Sequence, residues 1–574
     1  MKRNIIINGA LGLLLAGSMA SCASDYLDTE PLSNVTDAQV GTTTENLAKA
    51  INGMGFFLNM FQVDQSTGGV YQGGYPCGSC GEGYFMSYFG DCYSSDTYQN
   101  HFAMFQTGQV VRMELVANNN WYSNSKAWGF YYTLIRQANA VLDKIDDAEE
   151  TIAGQRNQIK AEALAFRAHA YTRLLQLFAP RWSDSNNGER KCIVLRLQQG
   201  TDDLPLVTMN QVLDQIYTDC KDAAALFQAE DTYKERPDWS APTYEVACGV
   251  LARAALLKED WATAEQYAAE AQKGHEIMTN DEWCNGFMEA TDDYLWTCSI
   301  NPDDRHINGA WAAYNACNGN YPNYWQMGSG NINVDLYNQL DAKDIRRTRF
   351  IMPDQVGARL KDWYNEKYID PTTMFFKRES IALTNYLKIA VFCEAATPTT
   401  TNGMEVAVAY TDIGGRGTQP TYVYGGQVKF YAMGGSDQLC QYPFMRSTEM
   451  LLTQAEAAYH LGHIGDAQQL ISKLTQMRIP DSAPITKTGE ELLNEIRLQR
   501  RIELWGEGTT FFDFKRWNWR NTRRAWVSGD TNSGNCPAPY AIDVAPEQAN
   551  HWVFMLPRVE SDYNAAIDLS ELRW

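Results

Sequence analysis

The strongest constraint on the fold is a pattern that the chain uses twice. Ala252, Ala254, Ala255, Ala264 and Gln266 fall on Ala455, Ala457, Ala458, Ala467 and Gln469 when the sequence is shifted by 203 positions (455 − 252 = 203). Each copy has small residues on one amphipathic segment, a tight polar turn, and an alanine early in the next segment. Helical spacing of apolar residues recurs elsewhere. Tyr131, Leu134, Ala138, Leu142 and Ile145 make one stripe; Leu164, Ala168, Tyr171, Leu175 and Phe178 make a second, which Pro180 stops. Val212 to Phe227, Tyr244 to Leu257 and Trp261 to Ala271 are amphipathic in the same way.

Small residues at the contact let paired helices approach closely, as in tetratricopeptide-like hairpins. The expected fold class is therefore mainly α: degenerate helical hairpins forming one scaffold, with long irregular loop insertions and a few short β-hairpins. The helical repeats are placed at about 127–273 and 447–517. Residues 64–100 and 280–335 are rich in Gly, Tyr, Ser and Cys and show no lasting period, so they are expected to be insertions. Loops of that length in a compact body usually carry function. Tyr422-Val423-Tyr424-Gly425-Gly426-Gln427-Val428-Lys429-Phe430 has the form of a two-residue β-hairpin.

The N-terminus reads as an address. Lys2 and Arg3 precede an apolar run from Ile5 to Ala20, too short to cross a membrane comfortably and closed by small residues. Met19-Ala20-Ser21-Cys22 resembles a bacterial lipobox, so residues 1–21 are expected to be a cleaved lipoprotein signal and Cys22 the lipidated residue. A plain signal peptide followed by an incidental cysteine is the alternative. Acyl chains anchor a protein without a spanning helix. Cleavage leaves 46 − 69 = −23 formal charges on residues 22–574, expected to be a single domain. That balance disfavours nucleic acid as a partner, because such binding rests on neutralising phosphates. It also favours a neutral ligand over a polyanion.

Thirteen cysteines less the lipidated one leave twelve. Cys77-Gly-Ser-Cys80 has redox or zinc spacing but no second pair and no strand-to-helix setting, which leaves a local disulfide or two free thiols. Pairing among Cys284, Cys298 and Cys317 is open. No HExxH, GxSxG, P-loop or strand-to-helix GxGxxG is present. His460 and His463 lie close together but without a completing carboxylate motif, and read as surface residues. The pairs Asp292-Asp293 and Asp303-Asp304 have the residue type for glycoside hydrolysis, which needs two carboxylates at a set separation. Among 69 acids, such neighbours arise by chance. No catalytic residue, cofactor or metal is expected.

Five segments, in order, carry a family resemblance. They are Ser21-Cys22 with Asp25-Tyr26-Leu27-Asp28-Thr29-Glu30-Pro31, then residues 160–171, 445–457, 500–508 running on to 512–517, and 554–564. Together they resemble the SusD/RagB family of outer-membrane nutrient-binding lipoproteins of Bacteroidetes, across essentially the whole mature chain. The resemblance implies a protein on the outer leaflet that is not an enzyme. It implies a lid over a SusC-like TonB-dependent transporter, to which it hands oligosaccharides or, in the RagB branch, peptides. Trp505-Gly506 departs from the smaller or aliphatic residues usual there. The Arg and Glu alternating through Glu495 to Glu507 read as an ion network on a helix face.

Sugar rings offer apolar C–H faces edged by hydroxyls, so their sites combine flat aromatics with amides or carboxylates. The segment from Trp311 to Trp325 holds Trp311, Tyr314, Asn315, Tyr321, Tyr324 and Trp325 without the periodicity that would bury them. Tyr71, Tyr75, Asp96 and Tyr98 form a second group among glycines. These ten residues are the expected ligand-binding set. Packing of the aromatics against the scaffold is the competing reading for any single one.

Overall fold

The computed structural model describes residues 41–58, 81–98, 112–233, 239–297, 331–351 and 441–572, apart from a few positions inside these spans, together with strand segments between 393 and 430. Ten helices form the scaffold: α1 (Thr44–Phe57), α2 (Tyr122–Leu142), α3 (Gln155–Phe178), α4 (Met209–Gln228), α5 (Tyr244–Lys258), α6 (Trp261–Ala271), α7 (Ser447–Leu461), α8 (Ile464–Arg478), α9 (Gly489–Glu503) and α10 (Thr510–Arg516).

Local chemistry sets the ends. Thr208 and Gln211 form a reciprocal capping box before α4, and Thr243 and Asp260 accept from the third backbone N–H of α5 and α6. The 203-residue shift is a structural identity. Ser447–Leu461 and Ile464–Arg478 begin 203 positions after Tyr244–Lys258 and Trp261–Ala271. The turns match as well: Glu259 and Gly462 both adopt the left-handed conformation that ends a helix, at φ 56 and 81.

From α2 to α8 each helix packs on the next, and α6 packs on α7 although residues 272–446 intervene. The stack is the tetratricopeptide-like scaffold that the hairpin pattern predicts. At its centre, α3 is buried nearly all round. Phe166, Tyr171, Leu174 and Leu177 are each fully enclosed, and Ala161, Ala163, Ala165, Ala168 and Ala170 let its neighbours close in. Each such large side chain contributes about 1.5–3 kcal/mol by leaving water, and Phe166→Ala would forfeit about 3–5 kcal/mol.

Strands are short and serve the insertions. β1 (Thr97–Tyr98), β2 (Asn331–Ile332), β3 (Phe350–Ile351) and β4 (Gly426–Gln427) form an antiparallel sheet in the order β1–β2–β4–β3. This corrects the expected hairpin at Tyr422–Phe430. Thr418–Tyr422 pairs instead with Val408–Asp412, while β4 leaves it to join β2 and β3. Gly425 makes that departure feasible: at φ +79, a Cβ there would sit 2.7 Å from the Ile332 carbonyl oxygen. Residues 81–91, read as aperiodic, form a short helix, Gly81–Phe85, passing into a π-helical turn, Met86–Asp91. Gly90 seats that turn where any side chain would strike the Gly508 backbone.

Candidate ligand-binding site

The two aromatic-rich insertions end side by side. Thr97 pairs with Ile332 and Tyr98 with Asn331, so the close of residues 64–100 is hydrogen-bonded to the close of residues 280–335. Asn333 adds to the join: its backbone N–H donates to the Asp96 carbonyl at 2.9 Å and its side-chain amide to the Ser95 carbonyl at 2.7 Å. Asn535 braces the other side, accepting from the Val334 N–H and donating to the Ile332 carbonyl, both at 3.0 Å.

Of the expected ligand residues, the structure describes Asp96 and Tyr98. Each is 1% exposed. The Asp96 carboxylate accepts two hydrogen bonds from the Arg501 guanidinium, one from Nε at 2.8 Å, and its carbonyl accepts from the Trp505 indole at 3.1 Å. Asp96 is thereby committed to the stem of the loop. Trp505, the departure from the family pattern, has a use here as the second clamp on that stem. Trp311, Tyr314, Asn315, Tyr321, Tyr324, Trp325, Tyr71 and Tyr75 lie outside the described residues, as does Cys22.

Behind the sheet lies a buried ion cluster that joins segments far apart in sequence. Glu503 accepts from Arg478 at 2.9 and 3.0 Å, from Arg346 at 3.2 Å and from Arg446 at 3.5 Å. Arg446 also reaches Asp293 at 2.6 Å and Glu507 at 2.7 and 2.8 Å. Lys429 donates to Glu507 at 2.7 Å and to the carbonyls of Glu503 and Trp505. With the Arg346–Asp344 pair the cluster holds four cations (Arg346, Lys429, Arg446, Arg478) and four anions (Asp293, Asp344, Glu503, Glu507). Burial alone would push the Glu503 carboxyl up, but the three guanidinium groups hold it far below the ordinary carboxylate range. Burial lowers Lys429 to about 8 against the pull of Glu507. The ion network read along one helix face is therefore an interior one, drawing in five other parts of the chain.

Asp292 and Asp293 face different surroundings, and Asp303 and Asp304 lie outside the described residues. Asp293 is fully buried on Arg446, Thr448 and Ser447, whereas Asp292 is exposed and receives the Glu276 N–H. A cleft of about 540 Å³, absent from the sequence reading, opens beside Arg181, Asp184, Lys515, Pro546, Glu547 and Trp552. Lys515 donates to the Gln176 and Ala179 carbonyls at 2.9 and 2.6 Å, at the negative end of α3, and burial holds it at about 7. The signal in sequence was a lone lysine inside Phe512-Asp-Phe-Lys-Arg-Trp517.

With this scaffold and its looped face in view, comparison with known proteins gives the class. Two family models match in tandem: one described as starch-binding associating with outer membrane, over residues 25–256, and the SusD family over residues 292–555. Between them the two models make most of the chain similar to SusD-like proteins. A SusD-like protein of Bacteroides ovatus is 25% identical over 297 residues, 49% of this chain and 46% of that one, so the chain spans about half the length of that curated relative. A SusD-like carbohydrate binding protein from Bacteroides vulgatus has a similar structure, with TM-score 0.65, 20% identity, and coverage of 92% of this chain and 97% of that one. Surface glycan-binding protein A from Bacteroides thetaiotaomicron, solved in complex with laminarihexaose, gives TM-score 0.60 and 13% identity over 92% of this chain and 98% of that one.

Proposed function

We propose that the chain is a surface-exposed lipoprotein, anchored in the outer membrane through Cys22, that captures a neutral oligosaccharide and passes it to a SusC-like TonB-dependent transporter. The observation that carries this reading is the β1–β2 pairing, which brings the ends of both aromatic-rich insertions together. From that stem, Trp311, Tyr314, Asn315, Tyr321, Tyr324 and Trp325 on one insertion and Tyr71 and Tyr75 on the other would supply ring-stacking faces and amide partners for a sugar. The laminarihexaose bound by the glycan-binding relative supports the choice of ligand class. The family's description as starch-binding points the same way. The protein binds and does not cleave: its matched motifs build the interior ion cluster, and the ligand role falls to loops.

Calorimetry of the mature chain against a panel of soluble glycans and peptides tests the ligand class. Binding of a neutral glycan that is weakened by Trp311→Ala and Trp325→Ala is expected. Unchanged affinity in both variants would overturn the site, and binding confined to peptides would overturn the ligand class. Release of reducing ends from the bound glycan would overturn the non-catalytic role. Palmitate labelling of cells that is lost in Cys22→Ala tests the anchor.

A further inference from the structure

The junction between the two register-related hairpins brings metal-binding side chains together. Glu265 comes from α6, in the first copy. His463 immediately precedes α8 in the second copy, and Asp466 lies in the first turn of α8. One ligand atom from each lies within 4.8 Å of the others. The His463 Nδ1 atom is 3.0 and 3.1 Å from the two Glu265 carboxylate oxygens. In a tetrahedral zinc site with bonds of about 2.0–2.1 Å, neighbouring donor atoms stand roughly 3.3 Å apart. The pair is within a few tenths of an ångström of that spacing.

We propose that Glu265, His463 and Asp466 form a zinc site that staples the first hairpin copy to the second. The donor set is one imidazole and two carboxylates. The imidazole selects Zn²⁺ over Ca²⁺ and Mg²⁺, which take oxygen ligands. The two carboxylates balance the charge of the dication. Asp466 has a second effect, since a cation near the start of a helix meets the positive end of its dipole and an acidic side chain in that first turn offsets it. All three side chains reach solvent, so ion entry needs no opening of the core and water completes the coordination. Next to the site, Trp261 and His460 stack face to face with ring centroids 3.9 Å apart, one ring from each copy. The metal would thus tie together two helices already in register.

The test is a zinc chloride titration of the mature chain by calorimetry, beside His463→Ala and Asp466→Asn, both surface changes whose folding is checked by circular dichroism. One zinc per chain is expected on the wild type, with affinity falling roughly tenfold or more in each variant. Cobalt substitution should give a spectrum without thiolate charge transfer, which separates this site from any made by cysteine. Zinc should raise the melting temperature of the wild type and leave that of His463→Ala unmoved. A titration unaltered by His463→Ala, a thiolate spectrum, or no zinc uptake overturns the proposal.

Discussion

Arg501, in the last turn of α9, holds the Asp96 carboxylate with two hydrogen bonds across 405 positions of sequence. The helical scaffold thereby grips the stem of the first aromatic insertion directly. Breaking a buried pair by removing one partner leaves the other charge uncompensated, at about 3–5 kcal/mol. Asp96→Ala is therefore expected to lower stability by about 3 kcal/mol in urea denaturation. Asp96→Ala with Arg501→Leu should recover part of that loss. A double variant no more stable than Asp96→Ala would show that the pair has no such role.

Glu503 should be the costliest acid to neutralise. Glu503→Gln leaves Arg346, Arg446 and Arg478 short of one anion in a dry interior, and a loss of about 3–5 kcal/mol is expected. Glu45, an exposed partner of Lys49, is the control, since Glu45→Gln should move stability by less than about 0.5 kcal/mol. Equal effects in the two variants would contradict the buried cluster.

Acid should unfold the protein gradually. Arg173 and His169 bring Glu82 to about 2 despite its burial, and Arg516 does the same for Glu456. Carboxyls depressed in the folded state stabilise it above their ordinary value, and that stability is lost as pH falls through the folded value. The window is thus from about 4.5 down to about 2. His169, which burial keeps neutral, adds a decline that starts near its ordinary 6.5. Unfolding free energy measured at successive pH values should fall throughout this range, and Glu456→Gln should flatten the lower part.

Lys515 should give a slope of the same sign in a higher pH window. Its folded value is about 7 and its ordinary value 10.5, so between these the unfolded chain carries the extra proton and stability from this group rises with pH. The neutral amine has two N–H groups, and two carbonyls are there to accept them. Lys515→Met is expected to be less stable than wild type, by a gap that widens from pH 7 to 10. A gap independent of pH would mean that the lysine stays charged.

Two glycines should respond in opposite senses to alanine. Gly425→Ala forces a left-handed backbone on a residue with a Cβ and drives that atom toward the Ile332 carbonyl, costing about 1–3 kcal/mol. Gly53 lies inside α1 with nothing near its Cβ position, so Gly53→Ala should gain about 0.5–1 kcal/mol. Thermal melts of the two variants check both signs.

The helices were legible because helices that pack on one another repeat their apolar residues at helical spacing. Tyr131 to Ile145, Leu164 to Phe178 and the 203-position shift all locate helices of the structure. Pairing of two-residue strands was not legible. β1, β2 and β4 are too short to show alternation, and their partners lie far off in sequence. Gly425-Gly426 between alternating neighbours carries the local signature of a hairpin, yet the register was decided by contacts that no local pattern records. Nor does a sequence show which charges turn inward. Arg and Glu in α9 alternate as they would on a wet surface, and only the arrival of Arg346, Arg446 and Arg478 makes Glu503 interior. For the same reason Asp96, which has the residue type of a sugar ligand, proved to be a buried anchor.

The sheet that gathers the insertions also bears on how such a protein changes over generations. Its strands recognise one another through backbone groups, which every non-proline residue supplies. Sequence and length in the insertions that lead up to Thr97 and to Asn331 can therefore be rewritten without disturbing the pairing itself. A lineage bearing this frame is free to alter the loops while inheriting their root unchanged.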